Sequence, residues 1–146
     1  MIYTHILPSS LPNLEEKFGY NGWPLIERHS SNKAKIIKDG ECFRIVDCNC
    51  WDPKVRINEC KDSALDIQVL STVPIMFNYW AKPEHTLYLS GILNDHISDV
   101  VQAHPQRFIG LGTIPMQDSK LAIKELERCI NQLRLKGIQI GTNVNH

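Results

Sequence analysis

Strands that alternate with helices along this chain predict an α/β fold built on a parallel sheet. Three observations carry that expectation: a short apolar opening segment closed by Pro8, two long stretches of helical periodicity at 83–104 and 119–135, and compact apolar runs at 66–70, 108–114 and 137–141 that frame them. Strands joined through helices pair in parallel by right-handed crossovers. A complete eight-stranded barrel of this kind takes about 250 residues. The 146 residues here are therefore expected to make the N-terminal half of a (β/α)8 barrel, as one incomplete domain over residues 1–146.

Residues 1–7, MIYTHIL, read as a buried strand running into a loop at Pro8. The next stretch is punctuated by Pro8, Pro12, Gly19, Gly22 and Pro24 and carries Phe18, Tyr20 and Trp23. It reads as a loop-rich excursion with one short helix near 11–18, and connections of that length are often functional. Lys35–Lys38 and Cys42–Val46 flank Asp39-Gly40, a dipeptide suited to the positive φ values of a two-residue turn, so an inserted β-hairpin is predicted near 34–46. Asp52-Pro53 joins an N-cap acceptor to a proline at the first helical position, opening a helix with Val55, Ile57, Cys60 and Ala64 at near-helical spacing. Strand 66–70 follows. From Pro83 to about His104, Leu87, Leu89, Ile92, Leu93, His96, Ile97, Val100 and Val101 form a helical stripe that ends before Pro105. A strand at 108–114, a helix at 119–135 and a strand at 137–141 complete the order. In a barrel the next element after such a strand is its helix, which gives the reading of an N-terminal portion.

The 16 basic and 16 acidic side chains cancel, and no segment gathers enough Lys or Arg for a nucleic-acid or anionic-membrane surface, so neither partner is expected. No apolar run reaches the 18 or so residues of a membrane span, and the opening residues lack a signal-peptide pattern, which points to the cytosol. Cys42, Cys48, Cys50, Cys60 and Cys129 are odd in number and irregular in spacing, as reduced thiols are. Cys48-Asn-Cys50 lacks the spacing and the second pair of a thiolate zinc site.

His5 falls at the expected C-terminal end of strand one, the end that faces the active site in barrels. Side chains two apart on a strand share a face, so a His-x-His pair there holds one ion; here that pair reads Tyr3-Thr4-His5, and a phenol is a far weaker zinc ligand than imidazole at neutral pH. From spacing alone His5 reads either as a hydrogen-bonded strand-end residue or as a ligand. Arg44 reads either as a bidentate carboxylate clamp or as an exposed hairpin arginine. Trp51, Phe43, Met76, Phe77, Tyr79 and Trp80 suit an apolar pocket or a core equally.

The phrases FGYNGW (18–23), KDGECFRIV (38–46), NCWDPKVRI (49–57), VLSTVPIMFNYWAKPEHT (69–86), RFIGLGTIPMQ (107–117) and KGIQIGT (136–142) together resemble the 2-amino-3-carboxymuconate-6-semialdehyde decarboxylase family of the amidohydrolase superfamily, across nearly all of the chain. The resemblance implies a barrel of the metal-dependent hydrolase type and a dimeric, cytosolic, zinc-dependent carboxy-lyase. Its reaction would convert 2-amino-3-carboxymuconate-6-semialdehyde to 2-aminomuconate semialdehyde and CO2 in the kynurenine route of tryptophan degradation, limiting quinolinate and NAD synthesis. Zinc is implied to sit on the His-x-His pair together with a His and an Asp from later strands. Only His5 matches that set, as a metal ligand; Tyr3 occupies the other half of the pair. Arg44 matches the substrate-carboxylate arginine and Lys38 a nearby basic position, while His29, His85, His96 and His104 match no ligand and His96 reads as a packing residue. No catalytic residue falls within the chain. The expectation is therefore a chain that does not retain zinc and is inactive alone, with a small dicarboxylate semialdehyde as the family's substrate. Its alternative is a non-catalytic interaction or regulatory half-barrel that forms a homodimer or associates with a full-length enzyme.

Overall fold

In the computed structural model, which describes residues 1–61 and 63–145, strand β1 (Ile2–His5) leads through helix α1 (Leu14–Phe18) to strands β2 (Leu25–Arg28), β3 (Lys33–Lys38) and β4 (Glu41–Asp47). Helix α2 (Pro53–Glu59), strand β5 (Gln68–Ser71), helix α3 (Pro83–Ala103), strand β6 (Phe108–Gly110) and helix α4 (Ser119–Glu127) follow. The chain forms two compact units, Met1–Leu7 with Cys60–His146, and Pro8–Glu59.

The first unit is a parallel sheet in the order β1-β5-β6. The predicted fourth strand is present as one parallel bridge, Gly112 to Ile138, fixed by Gly112 N–H to Gly137 C=O at 2.9 Å and Gln139 N–H to Gly112 C=O at 2.8 Å. This is a partial α/β barrel, the architecture the sequence predicts. One side of the sheet is covered by helices. A Cβ on Gly110 would come within 2.7 Å of Leu135 Cδ2 and 2.8 Å of Ile97 Cγ2, and one on Gly112 within 2.8 Å of Cys129 Sγ, so bare glycine lets α3 and the segment after α4 lie directly on the strands. Leu70 is the register partner of Gly110, and His5 is the partner of Ser71. Alternation along a strand therefore turns His5 and Ser71 to the side opposite the helices.

Helix α3 begins with Pro83 at its first turn, as a helix tolerates there, and buries Leu89, Leu93, Ile97 and Val100. The same inward face carries Thr86, Ser90, Asn94 and Ser98, polar residues that the hydrophobic stripe did not include. Helix α4 starts at an Asp118 cap whose carboxylate accepts from Leu121 N–H at 2.9 Å. It is shorter than the predicted 119–135: beyond Glu127 the chain continues as a π-helical turn, Arg128–Gln132, and Arg134 then takes a positive φ of 57°, which ends the helix.

The second unit is a three-stranded antiparallel sheet, β2-β3-β4. The predicted hairpin is β3 and β4, and its Asp39-Gly40 turn has φ of 53° and 77°, the mirror-image turn that matches strand twist. β2 is an addition to the sequence reading: it pairs Leu25 with Ile37 and Ile26 with Ile36. Ala34 and Ile36 of β3 are buried. The short predicted helix is α1, capped by Asn13 accepting from Glu16 N–H at 3.2 Å and ended by Gly19 at φ 77°. Asp52 caps α2 by accepting from Lys54 N–H at 2.8 Å, as predicted. The buried side chain of α2 is Arg56, whose Nε donates to Asn49 C=O at 2.9 Å, and Ala64 lies outside the helix at φ 50°.

Candidate functional site

The C-terminal ends of the parallel strands gather a set of polar side chains. His5 closes β1 and Ser71 closes β5, side by side in register. His5 Nδ1 lies 3.1 Å from Ser71 Oγ, and Tyr3 Oη lies 2.7 Å from the same oxygen. Tyr3 and His5 also meet edge to face, ring centroids 5.4 Å apart. The i, i+2 spacing thus puts both rings on one face of β1, as the strand period requires. Ser71 is wholly buried, at 0% exposed, whereas Tyr3 is 48% exposed.

Beyond β6, Thr113 is locked between its neighbours: its N–H donates to Asn94 Oδ1 at 2.7 Å and its C=O accepts from Asn94 Nδ2 at 2.8 Å. The loop after β5 is built by its own side chains. Asn78, at φ 49°, accepts from Trp80 Nε1 at 3.0 Å through Oδ1 and from Thr86 Oγ1 at 3.0 Å through its carbonyl. Phe77 stacks on Tyr79 at 5.4 Å, and Tyr79 Oη accepts from Gly141 N–H at 3.1 Å, tying this loop to the end of the fourth strand. Burial raises the Tyr79 phenol above its ordinary value, and the Gly141 hydrogen bond partly offsets this. Phe77, Tyr79 and Met76 are core residues here, and Trp80 is exposed.

Lys38 and Arg44 belong to the other unit. Lys38 ends β3, its ammonium donating to Gly22 C=O and facing Asp39 at 3.9 Å. Arg44 lies exposed in the middle of β4, opposite Ile36, with no ion pair to its guanidinium among the described residues. The predicted site residues thus fall into two sets, His5 with Tyr3 in the parallel sheet and Lys38 with Arg44 in the antiparallel one. Phe43 is exposed on β4 and Trp51 is buried beneath the Arg28 guanidinium, 4.4 Å from its ring. Cys50 has its thiol pushed up by burial, partly offset by the Arg56 charge, so it is a poor thiolate donor.

Ser71 is the residue that sequence reasoning passed over. The signal for it was its place, at the C-terminal end of a strand beside strand one. The donor chemistry at this strand end does not fit a catalytic metal ion: one imidazole, one phenol and one alkyl hydroxyl are short of the roughly three strong ligands such an ion needs. Among the described residues no three His, Cys, Asp or Glu side chains are grouped to hold a metal.

The sequence pattern of the amidohydrolase family matches residues 46–146. The chain is 58% identical over 144 residues to a 2-amino-3-carboxymuconate-6-semialdehyde decarboxylase of Dictyostelium discoideum, a match covering 99% of this chain and 40% of that protein. It spans well under half the length of this relative. A 5-carboxyvanillate decarboxylase from Novosphingobium aromaticivorans, crystallised with manganese and 4-hydroxy-3-methoxy-5-nitrobenzoic acid, superposes with a TM-score of 0.62 at 28% identity, covering 66% of this chain and 28% of the other. An amidohydrolase II structure at 20% identity shares the fold over 97% of this chain and 40% of its own, with a TM-score of 0.66.

Proposed function

This chain belongs to the amidohydrolase family, and from that premise we propose that its 146 residues are part of a metal-dependent carboxy-lyase acting on 2-amino-3-carboxymuconate-6-semialdehyde. The observation that carries the reading is the 58% identity along 99% of the chain to a decarboxylase of that substrate. Zinc is the ion the resemblance suggests, and a relative holding manganese supports a divalent metal in the family. Because the strand-end donors do not fit such an ion, the chain alone is read as inactive. Its share of the work is recognition. Arg44 offers a planar fork that matches a carboxylate bidentately, and Lys38 adds a second positive charge on the neighbouring strand. A substrate with two carboxylates is held by such charges while the reaction removes one of them as CO2. The same reading puts the protein in the cytosol, in the degradation of tryptophan, and as a dimer; no helix among the described residues is long and apolar enough to cross a membrane.

The test is a hybrid in which this chain, with Tyr3→His, replaces the matching stretch of the Dictyostelium relative. CO2 release from the semialdehyde is expected. Adding Arg44→Ala should raise KM by more than about tenfold, a loss of about 1.4 kcal/mol. A hybrid that folds but releases no CO2 overturns the carboxy-lyase reading, and an unchanged KM overturns the clamp.

One observation favours a second reading, a non-catalytic half-barrel that binds a full-length partner: β1 is an edge strand with Ile2 and Tyr3 exposed, the kind of edge that recruits another chain. Co-purification with a full-length relative, without any change in CO2 release, separates this reading from the first.

A further inference from the structure

Two side chains of β1 converge on one hydroxyl. Ser71 Oγ stands 2.7 Å from Tyr3 Oη, 3.1 Å from His5 Nδ1 and 3.4 Å from Thr72 C=O. A serine hydroxyl has one proton to give and two lone pairs to accept with. His5 Nδ1 takes part in these bonds, so their direction says whether that nitrogen accepts or carries the proton.

The chemistry of the three groups sets that direction. A phenol is more acidic than an alkyl alcohol, and its oxygen, conjugated with the ring, is the poorer acceptor; a Tyr hydroxyl beside a Ser hydroxyl donates. The 2.7 Å separation is the usual length of such an O–H···O bond. Ser71 is then left with its own proton and a choice of two acceptors. The imidazole nitrogen is the more basic and, at 3.1 Å against 3.4 Å, the nearer.

We propose that the hydrogen bonds run from Tyr3 to Ser71 to His5 Nδ1, so that neutral His5 carries its ring proton on Nε2. Tyr3 is thus a positioning residue that acts on His5 through Ser71. An Nε2–H has no lone pair to offer an ion; it is a hydrogen-bond donor, suited to an anionic oxygen such as a carboxylate. The phenol at position 3 does more than leave out one imidazole: it sets the lone pair of the remaining imidazole at Nδ1, where Ser71 already occupies it, and a proton at Nε2. This inference rests on the hydrogen bonds alone and stands apart from the carboxy-lyase reading.

The experiment is a long-range proton–nitrogen correlation spectrum of the 15N-labelled 146-residue chain at pH about 8, above the ordinary histidine value near 6.5. His5 is assigned by the signal lost in His5→Gln. The expected spectrum shows His5 as the Nε2–H tautomer. Tyr3→Phe removes the first donor and should shift His5 toward the Nδ1–H form, with added zinc then perturbing His5 at a lower concentration than in the unaltered chain. Nδ1–H in the unaltered chain, or a tautomer indifferent to Tyr3→Phe, overturns the proposal. The unaltered spectrum alone fixes the direction, so a Tyr3→Phe chain that failed to fold would still leave the proposal refutable. A hydroxyl cluster with a merely structural role would not move the tautomer.

Discussion

Asn94 is 0% exposed and spends its whole amide on hydrogen bonds: both backbone groups of Thr113, and Glu125 Oε1 at 2.7 Å. Glu125, itself buried, is held in turn by Arg128, whose Nε and Nη2 reach it at 3.0 and 2.8 Å while Nη1 reaches Asp95 at 2.6 Å. The bonded carboxylates raise the Arg128 pKa further, so this guanidinium stays charged. Asn94→Ala strands both backbone groups of Thr113, each costing about 1–3 kcal/mol, while Glu125 Oε1 keeps Arg128 Nη2, and a fall of about 3 kcal/mol in unfolding free energy by urea titration is expected. None of this was legible in the sequence. A polar residue on a helix lowers the hydrophobic signal of its face, and only the end of β6 explains why that face needs an amide. His96 was legible, as a packing residue on the α3 stripe. Burial lowers its pKa below 6.5, with the Leu7 backbone and Asp99 opposing. A depressed value means that the unfolded chain binds the proton more readily, so stability is full above pH 6.5 and is lost as pH falls through the folded value. His96→Gln should flatten that acid-side slope in urea midpoints measured across pH.

At the scale of elements, the turn chemistry was the most legible feature. Asp39-Gly40 between two alternating runs announced β3 and β4, and Gly40 at φ 77° is the position an L side chain resists. Gly40→Ala has open space around its Cβ, so its cost is backbone strain alone, about 1–2 kcal/mol. Thermal unfolding followed by the hairpin's amide signals checks it. β2 was not legible because Leu25–Arg28 is four residues long and follows three proline or glycine breaks that read as loop. The fourth strand was legible as a segment but not in its extent, since glycine at both ends of 137–141 leaves little side-chain packing to hold more than one bridge. Gly112→Ala is the opposite case to Gly40. Its Cβ would meet Cys129 Sγ at 2.8 Å and Asn94 Oδ1 at 3.0 Å, forcing the helix layer off the sheet at about 1–3 kcal/mol.

At the scale of the whole molecule, the parallel sheet ends in β1 on one side and a single bridge on the other. Ile2, Tyr3 and Ile140 are about half exposed near these ends, and the 146-residue chain is expected to self-associate with rising concentration, read as a growing sedimentation coefficient. A chain that sediments as a monomer throughout the micromolar range would mean that those edges are already protected. The site followed the same division between visible and hidden: the resemblance of phrases pointed to His5, Lys38 and Arg44, but no spacing in one dimension brings Ser71 to His5. That meeting depends on β1 pairing with a strand whose last residue lies 66 positions away. Synthesis proceeds from the N-terminus, so β1 is made before its partner and waits unpaired until all of Pro8–Glu59 and then β5 have left the ribosome. The intervening meander closes through neighbouring strands and needs no distant partner, whereas β1 must close a long loop, and topology of that kind slows folding. β1 is made well before it can find its place, and until β5 arrives the strand that bears His5 is an open hydrogen-bonding edge on a nascent chain, the stage at which a chaperone has most to protect.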